Sequence, residues 1–107
     1  MTDLRQTAAL AATLLCLLCP PAALAHNPIC NCYAEPDNQV LCEGGFSDGA
    51  SAEGVEIRVL DDRERVLLEG KMDADSVFVF DRPDVFFHVV FDAGDSHEVV
   101  VYEDEIE

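Results

Sequence analysis

Cysteines and histidines are the residues of this chain best suited to hold a soft metal or to exchange electrons. Five cysteines fall in two groups: Cys16 and Cys19 near the start, then Cys30, Cys32 and Cys42. Three thiols close together can form a soft-metal or redox site, because the thiolate is both a metal ligand and a nucleophile. They can equally supply one structural disulfide, Cys32–Cys42 or Cys30–Cys42, and leave the third buried as a small hydrophobe. A Cys-x-Cys pair alone is a weak zinc signal, since zinc sites usually space their ligands by two or more residues.

The histidines are His26, His88 and His97. His26 matters because of what precedes it. Arg5 and the amino terminus make a weakly positive start, diluted by Asp3, and an apolar run follows over 8–18. That run is short for a membrane span. Pro20 and Pro21 come next, and then Ala22-Ala23-Leu24-Ala25. This is the layout of a secretory signal cut after small residues, so 1–25 is predicted to be a cleaved signal peptide. Cys16 and Cys19 each follow Leu-Leu rather than small residues, so lipidation is not expected and both leave with the signal. The cut makes His26 the first residue of the exported chain. A free α-amine that titrates near neutrality and an imidazole then chelate one divalent cation together, a donor set suited to copper, nickel, cobalt or zinc. His97 lies beside Asp95 and opens a strand, which makes it a second candidate ligand. His88, inside an apolar run with Phe86 and Val90 on its face, reads as a packed and hydrogen-bonded histidine.

The carboxylates carry a different message. Residues 26–107 number 82, with 21 acidic and five basic side chains, a formal charge of −16. Such a charge argues strongly against nucleic acid and anionic membrane surfaces as partners and favours solubility, cations or a basic protein. Asp61-Asp62, Asp73 with Asp75, and Glu103-Asp104-Glu105 read as solvated faces. No Asp-x-Asp-x-Asp-Gly calcium loop, Gly-x-Ser-x-Gly elbow or glycine-rich phosphate loop occurs, so no catalytic constellation is expected.

The elements that must position these groups are strands. Short runs of β-branched and aromatic residues cover 29–34, 39–43, 55–60, 65–69, 77–80, 85–91 and 97–102. Turn residues separate them: Pro36-Asp37-Asn38, a Gly/Ser/Ala-rich loop over 44–54, Asp61-Asp62-Arg63, a loop over 70–75, Arg82-Pro83-Asp84, and Asp92-Ala93-Gly94-Asp95-Ser96. Val55, Ile57 and Val59 alternate with Glu56 and Arg58, as in a half-buried strand. No sustained helical period appears. Seven short strands at this spacing predict a small all-β sandwich of the immunoglobulin or transthyretin kind over 26–107, ending in an acidic tail over 103–107. A domain this small is marginal without a staple.

The first hairpin fixes the cysteines. With Pro36-Asp37-Asn38 as a three-residue loop, Glu35 faces Gln39 and Ala34 faces Val40. Cys32 then stands opposite Cys42, and Cys30 projects from the same face two residues back. A loop longer or shorter by one residue would destroy that alignment.

The order of these features resembles a known family. The features are the Ala-Leu-Ala ending, His26 at once after it, a short hairpin, a Gly-rich loop, the run VEIRVLDDRERVLLEGKMDADSVFVF, and VVFDAGDSHEVVVY. They look like the periplasmic accessory component of energy-coupling-factor nickel/cobalt transporters, a carboxypeptidase-regulatory-like β-sandwich. Val90-Phe91-Asp92-Ala93-Gly94 matches the family's Asp-Ala-Gly strand end, and His97 falls where its histidine stands. Ser96 takes the place of the family's Gly, and Glu98 that of its basic residue. The resemblance implies a periplasmic protein that captures or presents nickel or cobalt to membrane importer subunits, with His26 and His97 as ligands. The residues read alone leave a second expectation: a disulfide-stapled acidic adaptor that docks a basic exported partner without metal.

Overall fold

The structure, a computed structural model, describes residues 27–107; the segment 1–25 expected to be a signal peptide, and His26, lie outside the described residues. Seven strands form two antiparallel sheets. They are β1 (Pro28–Glu35), β2 (Gln39–Phe46), β3 (Glu56–Asp61), β4 (Val66–Lys71), β5 (Val77–Asp81), β6 (Phe87–Asp92) and β7 (Glu98–Tyr102). One sheet runs β1-β2-β5 and the other β4-β3-β6-β7. This is the expected sandwich, in an immunoglobulin-like order with β4 paired to β3.

Alternation decides which side chains meet between the sheets. From β3 and β6 these are Ile57, Val59, Phe87, Val89 and Phe91, all fully buried; Val40 and Cys42 of β2 face them. Phe80 stands edge-on to Phe87, with ring centroids 6.0 Å apart. Each such aromatic contributes about 1.5–3 kcal/mol of transfer free energy when taken from water. The continuous apolar run of β6 suits a strand covered on both faces: all of Phe87 to Phe91 is buried.

The first turn obeys its residues. Asp37 and Asn38 both adopt positive φ, 63° and 58°, a conformation that short polar side chains tolerate best. The pairing that follows is Glu35 with Gln39, Ala34 with Val40 and Cys32 with Cys42. The three-residue loop is therefore the one expected.

Three details differ from the sequence reading. β2 continues through Gly44, Gly45 and Phe46, where a loop was expected. A glycine is needed there because Phe91 packs directly against the backbone: a Cβ on Gly44 would sit 2.6 Å from the Phe91 ring. β6 begins at Phe87, so Val85 and Phe86 lie ahead of it and are exposed. The acidic 103–107 segment is tied down. Glu103–Glu105 forms one 3-10 turn, Ile106 is buried in the core cluster, and Ala34 N donates to Glu107 O at 3.0 Å. The buried Ile106 and that bond to β1 hold the segment against the sandwich. No helix among the described residues is long and apolar enough to cross a membrane.

Candidate functional site

The cysteine face is the first candidate. Cys30, Cys32 and Cys42 are all buried, and their sulfurs lie within 4.8 Å of one another. Cys32 and Cys42 form a disulfide; Cys30 is a free thiol. Burial, and secondly the nearby Glu43 carboxylate, push the Cys30 thiol up to about 11, so it stays protonated at neutral pH. A cleft of about 190 Å³ opens onto this face, lined by Cys30, Cys32, Tyr33, Val101, Glu105 and Glu107. Glu105 and Glu107 belong to the terminal segment, so the fold brings two residues of that segment to the cleft. Nothing in their spacing signals it, because the contact depends on Ile106 anchoring the segment.

The second candidate is the end of the sandwich where β1 starts. Asn27 and Ser47 bond there twice, Ser47 N to Asn27 O at 2.9 Å and Asn27 N to Ser47 Oγ at 3.1 Å. Pro28 pairs with Phe46, whose ring lies 6.3 Å from that of Phe91. Phe91 in turn pairs with Val99 at the start of β7. The first described residue and the β6–β7 hairpin that carries His97 therefore share one end of the molecule. The hairpin is shaped by positive φ at Gly94, Asp95 and Ser96, and closed by His97 N donating to Gly94 O at 2.7 Å. His97 itself is exposed.

That end is acidic. Asp92 pairs with Glu56 on β3 and with Glu98 on β7, and a recess of about 400 Å³ beside the hairpin is lined by Glu53, Glu56 and Asp92 among others. Gly94 N donates to Asp92 at 2.9 Å and Arg58 binds it at 3.1 Å. These donors hold its carboxyl below the ordinary carboxylate range. Comparisons with protein-family models, with curated proteins and with solved structures find no match to this chain.

His88 is buried in the outer face of the larger sheet, as a packing residue. Its ring lies 5.9 Å from that of Tyr102, and its Nε2 is 3.6 Å from a Glu64 carboxylate oxygen. Phe86, expected on its face, is 57% exposed ahead of the strand, so Tyr102 is the neighbour in its stead. Asp61 departs further from expectation. It is buried, not a solvated face: it accepts from Arg63 N and Arg65 N at 2.9 Å each and from Arg65 Nε at 2.8 Å. Those bonds, chiefly the one from Arg65 N, hold its carboxyl low and close the β3–β4 turn. Asp73 does the same work for the loop before β5, accepting from Asp75 N and Val77 N.

Proposed function

We propose that this chain is an exported, periplasmic accessory protein that captures nickel or cobalt and presents it to a membrane importer. The observation that carries the reading is the shared end of the sandwich: β1 starts where the His97 hairpin lies. After cleavage behind Ala25, the amine and imidazole of His26 would begin one residue before Asn27, and His97 would offer a second nitrogen from the scaffold. A ligand anchored on a strand end reduces the entropy lost when a free terminus closes on an ion. Glu53 and Glu56 raise the local cation concentration without choosing among cations. The Cys32–Cys42 bond fits an oxidising compartment. Calorimetric titration of nickel or cobalt into protein beginning at His26 tests this. One ion per chain is expected, with His26→Ala and His97→Ala each weakening binding about tenfold or more, 1.4 kcal/mol. Absence of stoichiometric binding rejects the reading.

A second reading, an acidic adaptor for a basic exported partner, has its own support. Register places Val66, Leu60, His88 and Tyr102 in one row across the larger sheet, with Val90 and Val100 in the next. Leu60 and Val90 are buried yet outside the inter-sheet core cluster, while Val66, Val100 and Tyr102 are exposed. An apolar stripe on a chain of charge −16 suits a partner with apolar side chains ringed by lysine or arginine. Substituting Val66 and Tyr102 by Ser would weaken such a complex and leave nickel binding unchanged.

A further inference from the structure

The cysteine face holds more than a staple. Its third sulfur lies beside the other two, and a cleft reaches it from outside. We propose that Cys30, Cys32 and Cys42 form a second, redox-gated metal site, closed while the disulfide stands and able to bind one thiophilic ion such as zinc or cadmium once it is reduced.

The geometry is that of a preformed ligand set. Three sulfurs held tetrahedrally on zinc at bonds of about 2.3 Å stand about 3.8 Å from one another. The three sulfurs here lie within 4.8 Å, on one face of one hairpin whose register fixes Cys32 opposite Cys42. Opening the disulfide lets that pair relax toward the spacing a metal requires, without a change of strand register. The cleft lined by Cys30, Cys32, Glu105 and Glu107 gives the ion a way in.

The chemistry balances in two steps. A dithiol or phosphine reductant gives two electrons to the Cys32–Cys42 bond; with two protons taken up, two thiols form and the reductant leaves oxidised. A divalent ion then displaces three protons from three thiols, and the product is a tris-thiolate centre of net charge −1. While the disulfide persists Cys30 is the only thiol of the three, and a single thiol makes no chelating site. This site shares no ligand with the His26 and His97 reading and stands or falls independently of it.

Cadmium is the probe, because thiolate ligation gives it an ultraviolet charge-transfer band that nitrogen and carboxylate ligation do not. The full exported chain, reduced anaerobically with a phosphine, is expected to develop that band to one cadmium per chain. The oxidised chain should show none. Cys30→Ser should weaken cadmium binding at the thiolate site, read by the band, about tenfold or more, whereas His26→Ala and His97→Ala should leave the band unchanged. Where reduction unfolds the chain, cadmium should restore the β-sheet circular dichroism of the parent and not of Cys30→Ser. The proposal is overturned by a reduced chain that gains neither the band nor its fold, or by Cys30→Ser binding as tightly as the parent.

Discussion

Cys32 and Cys42 stand directly opposite each other in the first hairpin, Cα atoms 4.0 Å apart, and their sulfurs are bonded. The bond closes a loop with a sequence separation of only 10 residues. In the chain-entropy account a loop of that size is worth about 2–3 kcal/mol. Peptide mapping under non-reducing conditions should find Cys32 joined to Cys42 and Cys30 free. The double variant Cys32→Ala/Cys42→Ala should lose about 2–3 kcal/mol in denaturant unfolding. A Cys30–Cys42 pairing in the isolated protein would contradict the structure.

Asp61 predicts how the fold responds to acid. Its folded carboxyl is held below the ordinary value, so the unfolded chain takes up the proton first as pH falls. Its contribution is complete above a pH of about 4 and is lost as pH drops through the lowered folded value. Asp92, held low by Gly94 N and Arg58, acts in the same direction. Asp61→Asn should therefore be less stable at neutral pH and lose stability less steeply below a pH of about 4. A parallel acid profile for variant and parent would refute the assignment.

His88 should behave as a packing residue. It is 8% exposed against Tyr102, and its Glu64 partner is largely in solvent, where an ion pair adds little. His88→Ala should lower stability by about 1–3 kcal/mol through lost packing and leave nickel affinity as in the parent. Comparison of its thermal midpoint and its metal titration would show both. Loss of metal binding in a folded His88→Ala protein would place the ligand set elsewhere.

What the sequence made legible follows from how local each signal is. The Cys32–Cys42 register depends on one turn, and Pro36-Asp37-Asn38 states its length. The seven strands depend on alternation and on turn residues, both written within a few positions. The burial of Asp61 was hidden because Asp61-Asp62 looks like any acidic pair, and only the turn it accepts from distinguishes it. The docking of 103–107 was hidden for another reason: Ile106 is one apolar residue whose pocket is built by distant strands. Glu105 and Glu107 reach the cysteine cleft through that contact and the bond from Ala34 N to Glu107 O. Likewise, the shared end of β1 and the His97 hairpin depends on how two sheets stack, which no short stretch encodes.

The central claim, that His26 holds the metal through its amine as well as its ring, is tested most directly by one extra residue. Nickel is titrated into a chain prepared to begin at His26 and into the same chain preceded by a single alanine, which keeps the imidazole and converts the α-amine of His26 to an amide. The account predicts stoichiometric binding by the first and affinity about tenfold or more weaker for the second, as large a loss as His26→Ala gives. Equal affinity of the two chains would contradict it.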